Sequence, residues 1–447
     1  MAGFRIFLFL IFTFFLTSSL SFASFTENLK VDTLKNGLKV ITIEDHKDPT
    51  ITFQIWYRVG GRNEIPGKTG LAHLTEHMMF KGSKKYKKGE VSRLIAKNGG
   101  NENAFTSQDY TAYFQNLSKD KLHISLQVES DRLANLAIDP QEFLLERDVV
   151  MEERRQRVDD DPTSSVVEEM FSAAYKVHPY RNPTIGWMSD LKNLTHEDLT
   201  KWYKTYYVPN NATIVLAGDF NRKEALQDIK KYFEDVPRGA DPPQMTIKEP
   251  EQIGERRVWV NKEAQLPFIF TGFKVPNIGN ADEFALNVLE YILSSGKSSR
   301  LYKSLVYEKQ IAVYAGGSYD GLSKDPALFY FYAGAKPGVE VDVVEKAIYE
   351  ELEKILESGI TEKELQKAKN QIESGFVMGQ DSIFYKAMQI GRLDAAGIEP
   401  AYLDSYIDNV RKVTVEGVKA VAKKYFKKDK RTVGILVPVK KGVQNVK

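Results

Sequence analysis

His73 and His77 stand four residues apart, and Glu76 immediately precedes the second histidine. On an α-helix, positions i and i+4 lie on the same face, so both imidazoles can reach a single metal ion. The spacing is the inverted form of a zinc-binding helix motif, whose glutamate acts as base toward a metal-bound water. The neighbouring residues are mostly apolar, which predicts a buried helix in which unpaired polar groups would be costly. The alternative is a pair of core histidines satisfied by ordinary hydrogen bonds.

A catalytic zinc ion normally has three protein ligands, so a third side chain must come from elsewhere in the chain. A second helix is predicted to begin with Asp139 as N-cap and Pro140 at its first position. It carries Glu146 and Glu153 on one face, two turns apart, on or beside an apolar stripe formed by Leu145, Val149 and Val150. An inward position favours Glu153 as the third ligand and Glu146 as a carboxylate that supports the site. Surface ion pairing of both glutamates is the alternative.

The first 23 residues differ in composition from the rest of the chain. Arg5 is followed by an apolar and hydroxyl-bearing run from Ile6 to Leu20, and small residues precede Ser24. This pattern is typical of a secretory signal peptide, and the run is short for a membrane span. We therefore expect residues 1–23 to be removed and the mature chain to be periplasmic or secreted, without a membrane anchor. An uncleaved N-terminal anchor is the alternative.

Composition excludes several other classes of protein. The chain has no cysteine, which excludes disulfides, thiolate metal ligands and cysteine nucleophiles. Its formal net charge of +2 is too balanced to indicate a nucleic-acid-binding protein. At 447 residues the chain exceeds the size of one hydrophobic core, so we expect at least two domains.

The order of predicted strands and helices in the first half is repeated in the second, which indicates duplication of one α+β unit. In the first half, apolar residues alternate from Ile51 to Val59 and predict a strand. Residues 237–256 are rich in proline and lack periodicity, and we interpret them as the linker between domains at 24–236 and 257–447. Where the first domain has its histidines, the second has the sequence Val-Leu-Glu-Tyr-Ile at 288–292, and it therefore lacks the metal motif.

Several segments together resemble the pitrilysin/insulinase family of inverted-motif zinc peptidases, in particular its short-chain branch with the mitochondrial processing peptidases. They are the pentad from His73 to His77, residues 146–150 leading to Glu153, residues 103–106, residues 209–211 leading to Gly218 and Asp219, and residues 298–301 leading to Tyr314. The resemblance covers nearly the whole mature chain. It implies an α+β fold of two homologous two-layer α/β-sandwich domains, as in the processing peptidases.

The resemblance also implies roles for individual residues. His73, His77 and Glu153 would bind one Zn²⁺ per chain, Glu76 would be the general base and Glu146 the accessory carboxylate. Asn103, Ala104 and Phe105 would lie on an edge strand to which an extended peptide adds by backbone pairing; a plain hairpin is the alternative for this region. Arg300 and Tyr314 would approach the scissile carbonyl, although Arg300 could equally form a salt bridge and Tyr314 a core contact.

Together these features predict a zinc-dependent endopeptidase that hydrolyses peptides or unfolded polypeptides. Members of the family enclose the site between two such units, which implies a homodimer or a heterodimer with a related chain. In that arrangement Arg300 and Tyr314 would complete the site of the partner. One alternative is a subunit that binds peptides or a partner peptidase without cutting, and another is a different metal-dependent hydrolase on a similar fold.

Overall fold

The computed structural model describes residues 25–439. The predicted signal peptide lies outside the described residues. No helix in residues 25–439 is long and apolar enough to cross a membrane.

The first half forms a sheet of six strands with the order β1-β2-β6-β3-β5-β4. Its strands are β1 (Leu29–Thr33), β2 (Lys39–Glu44), β3 (Thr50–Tyr57), β4 (Asn101–Thr106), β5 (Thr111–Ser118) and β6 (Ala212–Gly218). Neighbours are antiparallel except β2 and β6. The helices of this half are α1 (Leu71–Met78), α2 (Glu90–Lys97), α3 (Leu122–Asn135), α4 (Pro140–Arg154), α5 (Pro162–Ala174), α6 (Met188–Asn193), α7 (His196–Tyr206) and α8 (Arg222–Phe233).

The second half repeats this plan with a five-stranded sheet of order β7-β11-β8-β10-β9. Its strands are β7 (Arg256–Glu263), β8 (Phe268–Val275), β9 (Ala312–Tyr319), β10 (Ala327–Ala335) and β11 (Arg431–Val439). Its helices are α9 (Glu283–Ser294), α10 (Val341–Ser358), α11 (Glu362–Gly379), α12 (Ile383–Ala396), α13 (Tyr402–Lys412) and α14 (Val415–Tyr425). The predicted duplication of an α+β unit is confirmed by these two sheets, and residues 234–255 between them hold no helix or strand.

The two halves exchange helices. Helix α5 of the first half packs on β7, β8 and β11, and helix α12 of the second half packs on β3 and β6. Each sheet is therefore covered by its own helices on one face and by a helix of the other half on the opposite face. Strand β3 shows the consequence, because Thr52, Gln54 and Trp56 are as fully buried as the alternating apolar residues between them.

Helix α12 approaches the first sheet closely at Gly391. A Cβ atom built there would lie 2.0 Å from the ring of Trp56, which is itself 1% exposed. One turn away, the buried carboxylate of Asp394 binds across the same interface, 2.7 Å from Lys39 and 2.9 Å from Arg58. The contact between the halves therefore combines close apolar packing with a compensated buried charge.

We predict that Gly391→Ala lowers the free energy of unfolding by about 1–3 kcal/mol, because the added methyl group must displace a buried indole ring. The matched control is Gly375→Ala in helix α11, where a Cβ meets no atom within 4 Å. That change should raise stability by about 0.5–1 kcal/mol through lower backbone entropy in the unfolded chain. Urea unfolding followed by circular dichroism measures both, and equal stability of the two variants would contradict the packing described.

Candidate metal centre

Helix α1 starts at a position that requires glycine. Gly70 has φ of 93°, in the left-handed region, and a Cβ there would lie 2.6 Å from a methyl of Leu191. The carboxylate of Glu64 accepts hydrogen bonds from the backbone N–H groups of Gly70 at 2.9 Å and Ala72 at 2.8 Å. Burial raises the pKa of Glu64 to about 8, although these two bonds lower it. Glu64 thus caps the helix that carries both histidines.

Sequence reasoning missed Glu64, and no local signal identifies it. An ordinary helix N-cap lies directly before the first turn, and a capping box spans only three residues. Glu64 instead reaches α1 from a preceding loop, six residues before Gly70. Only the folded loop brings its carboxylate to the end of the helix.

His73, His77 and Glu153 converge between helices α1 and α4, as the sequence predicts. The Oε2 atom of Glu153 lies 3.8 Å from Nε2 of His73 and 3.3 Å from Nε2 of His77. Within the described residues, these three side chains alone form a group whose ligand atoms all lie within 4.8 Å of one another. The three side chains are 14–21% exposed, so the centre is open to solvent.

The donor set fits a zinc ion. Bonds of about 2.0–2.2 Å at tetrahedral angles place ligand atoms about 3.3–3.6 Å apart, close to the separations found here. Burial and the neighbouring charge of His77 lower the pKa of His73 to about 3, which keeps its imidazole neutral and able to donate a lone pair. Two imidazole nitrogens and a carboxylate oxygen that face one another form an arrangement that a cation stabilises.

Glu146 orients one of the histidines. Its Oε1 atom lies 3.0 Å from Nδ1 of His77, and its Oε2 atom lies 2.5 Å from Nζ of Lys81. Burial alone would raise the pKa of Glu146, but the bonds from His77 and Lys81 outweigh it and lower the pKa. A proton on Nδ1 leaves the Nε2 lone pair of His77 directed toward Glu153, the usual arrangement of a metal-binding histidine.

The apolar stripe predicted beside these glutamates is wrong in two of its three members. Leu145 is 58% exposed and Val149 is 49% exposed, whereas Val150 is fully buried. The buried face of α4 contains Phe143, Glu146, Val150 and Arg154, at helical spacing. Glu146 is buried because charged partners bind it there and not because it follows Leu145. The two apolar residues thus project into solvent beside the metal centre.

Glu76 lies next to the metal ligands and is held by the edge strand. The hydroxyl of Thr106, the last residue of β4, donates a short hydrogen bond to Oε2 of Glu76. Burial raises the pKa of Glu76 above its ordinary value, although this hydrogen bond opposes the shift. Glu76 directly precedes His77 on α1, a position suitable for a base that acts on a water molecule at the centre.

Strand β4 is at the edge of the first sheet and, among the described strands, pairs only with β5. The predicted edge strand and the alternative hairpin are therefore both present, since β4 and β5 form an antiparallel pair. Asn103 is exposed, and Ala104 is partly exposed. The ring of Phe105 packs against Trp56 at 5.4 Å and Tyr110 at 6.0 Å between ring centres. Phe105 therefore offers its backbone, and not its side chain, to this edge.

Arg300 and Tyr314 lie in the second half, and neither contacts the metal ligands within the described chain. Arg300 forms a bidentate ion pair with Glu364, with distances of 2.7 and 2.9 Å. Tyr314 lies on the edge strand β9 and is 41% exposed, so it is not a core residue. The salt-bridge alternative thus describes the contacts of Arg300, and the ring of Tyr314 remains accessible.

Helix α9 of the second half corresponds to α1 but is packed as core. The burial pattern of 285–293 repeats that of 71–79, so Asn287 and Tyr291 stand where α1 has His73 and His77, and the predicted match of 288–292 to the histidine motif is one residue out of register. Glu290 accepts a hydrogen bond of 2.9 Å from Ser318 of the edge strand β9. This helix retains a carboxylate bonded to an edge-strand hydroxyl but has no imidazole beside it.

We predict that Glu146→Gln weakens zinc binding about 10- to 100-fold, because His77 loses the carboxylate that fixes its tautomer and Lys81 loses its partner. Competition against a chromophoric chelator at neutral pH measures the affinity. Glu152→Gln is the matched control on the same helix, since Glu152 is exposed and pairs with Arg155. Wild-type affinity in the Glu146 variant would show that this carboxylate does not orient the ligand.

Two family models match the chain. Residues 39–187 match the model described as Insulinase (Peptidase family M16), and residues 193–372 match the model described as Peptidase M16 inactive domain. The three residues of the metal centre all lie in the first region. The description "inactive" belongs to the second region, which includes the histidine-free helix α9.

Known proteins match nearly the whole chain. Zinc protease PqqE from Helicobacter pylori is 35% identical over 418 residues, which cover 91% of this chain and 92% of that protein. The crystal structure of a protease from Helicobacter pylori has a TM-score of 0.89 at 35% identity and covers 92% of this chain and 99% of that one. The periplasmic protease PqqL from Escherichia coli shares the fold at 19% identity, with a TM-score of 0.78, but this chain covers only 48% of its length. The chain therefore belongs to the insulinase family of peptidases, family M16.

Proposed function

We propose that this chain is a zinc-dependent endopeptidase that hydrolyses peptides or unfolded polypeptides. One observation carries the proposal: the side chains of His73, His77 and Glu153 converge beside Glu76, and Glu76 is bonded to an open sheet edge. A family relative that is named a zinc protease supports it.

Each residue of the centre has a distinct role in peptide hydrolysis. His73, His77 and Glu153 would hold the zinc ion, which would supply a Lewis acid that lowers the pKa of water from about 15.7 toward ~7. Glu76 accepts the proton of the attacking water and can deliver it to the leaving amine. Glu146 holds the imidazole of His77 in the tautomer that binds metal.

The edge strand β4 supplies a means of holding the substrate. An extended peptide that adds to its free edge forms backbone hydrogen bonds that do not depend on side-chain identity. Thr106 ends this strand and binds Glu76 directly, so the edge and the base are linked by one hydrogen bond. Peptides and unfolded chains can adopt the extended form that such pairing requires, whereas the interior of a folded protein cannot.

A second candidate function is a non-catalytic subunit that binds peptides or a partner peptidase. It would retain the edge strand but need neither a metal nor a base. The presence of all three ligands, the base and the supporting Glu146 favours catalysis, because a binding subunit has no use for this set of buried polar groups.

We predict that Glu76→Gln abolishes cleavage of an unfolded reporter peptide while zinc content stays near one per chain, since the amide cannot accept a proton. His77→Ala should lose both metal and activity. Zinc analysis and a peptidase assay, with and without chelator, measure the two properties in the same samples. More than a few per cent of wild-type activity in Glu76→Gln would show that another group is the base.

We also propose that two units of this kind form the working enzyme, as a homodimer or with a related chain. The match to only 48% of the length of PqqL, at the level of the fold, is consistent with a unit that functions in pairs. Arg300 and Tyr314 lie apart from the metal centre of their own chain and could reach that of a partner.

Mixing Glu76→Gln with Arg300→Ala tests this sharing. Random pairing makes half of the dimers mixed, and each mixed dimer has one complete site out of two. About a quarter of wild-type activity should therefore return. Glu364→Gln is the control, because it breaks the same ion pair and keeps the guanidinium. If Glu364→Gln loses as much activity as Arg300→Ala, or mixing restores none, Arg300 acts only within its own chain.

The protein is proposed to be exported, to the periplasm or beyond the cell. The basic start, short apolar run and small residues before Ser24 support removal of residues 1–23. N-terminal sequencing of the chain purified from a bacterial envelope fraction should therefore begin at Ser24. A first residue of Met1 in that fraction would instead indicate a retained anchor.

A further inference from the structure

A cavity of about 320 Å³ lies in the second half and is lined by none of the residues of the metal centre. It is enclosed by helices α9, α11, α12 and α13 and by the residues that follow β9. Its walls are mainly aromatic and include Phe284, Tyr291, Phe376, Tyr385, Tyr402 and Tyr406. The volume is at the lower end of that of ligand sites and suits a group the size of an arginine side chain.

Two polar side chains of this cavity, Glu283 and Asn287, have acceptor atoms with unused capacity. Glu283 is only 5% exposed, and its carboxylate accepts bonds from the Tyr402 hydroxyl, at 2.8 Å, and from the N–H of Gly279. An ionised carboxylate has about four acceptor positions, so capacity remains. The Oδ1 atom of Asn287 is buried with no hydrogen-bond partner, whereas its Nδ2 group donates to Tyr406.

No positive charge balances these groups. The described residues that line the cavity include no lysine, arginine or histidine. No ion pair within the described chain involves Glu283, and burial raises the pKa of its carboxyl. Aromatic ring faces carry negative electrostatic potential and attract cations, and this attraction is stronger where water is excluded.

We propose that this cavity binds an organic cation with N–H donors, an alkylammonium or alkylguanidinium group. Its charge faces Glu283 and the aromatic rings, and its N–H groups donate to the carboxylate. The cation can be a small free molecule or the side chain of a lysine or arginine in a peptide. Both sources present the same chemistry to the cavity.

A pair of ligands that differ in charge tests whether binding depends on the positive charge. Calorimetric titration of the full chain with n-butylguanidinium should show saturable binding, and the neutral isostere N-butylurea should bind at least tenfold more weakly at equal ionic strength. Equal affinity for the two compounds, or no binding of the cation at about 10 mM, would overturn the proposal. N-acetyl-arginine amide distinguishes the sources: binding identifies a peptide side chain as ligand, and exclusion identifies a small free cation.

Three variants locate the site. Glu283→Gln should weaken n-butylguanidinium binding at least tenfold, whereas Glu399→Gln, an exposed carboxylate in the same half, should leave it unchanged. Tyr385→Leu is a second test that does not touch the buried carboxylate, since Tyr385 is 36% exposed. It should weaken the cation about two- to fivefold and leave N-butylurea unaffected. Wild-type affinity in both Glu283→Gln and Tyr385→Leu would place binding elsewhere.

Discussion

The metal centre depends on one contact, the packing of helix α4 against helix α1. Helix α1 supplies two imidazoles by local geometry alone, but two neutral nitrogens do not complete a catalytic zinc site. Helix α4 brings Glu146 and Glu153 into the same space, with carboxylate oxygens 3.0 and 3.3 Å from the ring nitrogens of His77. These carboxylates are tolerated at this interface because each meets a cation or an imidazole there.

The supporting groups extend this principle beyond the ligands. Glu64 binds the free N–H groups at the start of α1, Glu146 binds Lys81 and His77, and Thr106 binds Glu76. Glu64, Glu76 and Glu146 therefore each have a specific partner on a different element. A centre built in this way keeps its geometry because rotation of one side chain would break a bond to another part of the fold.

The duplicated architecture explains how the second half persists without the metal motif. Both faces of each sheet must be buried by helices. Helix α5 of the first half packs on the second sheet and helix α12 of the second half packs on the first, so each half needs the other to be folded. Helix α9 has Asn287 and Tyr291 in the places of the two histidines, while Val288 and Ile292 are buried in the core of the second half. The second half therefore contributes the closely packed Gly391, the buried Asp394 and an acceptor-rich cavity, while the first half contains the metal ligands.

The sequence by itself determined the features that arise over short separations: the pairing of His73 with His77, the start of α4 at Asp139, and the alternation within β3. It also indicated Glu153, although 76 residues separate it from His77. The resemblance to a family implied that these two distant residues bind the same metal ion. Only the tertiary structure decided which face of α4 is buried, and it placed Leu145 and Val149 in solvent, since a buried charge with bound partners can replace an apolar residue. Only the tertiary structure showed that Glu64 binds the start of α1 and that α12 packs on the far face of β3. Contacts between distant segments produce no periodic pattern in the sequence from which they could be predicted.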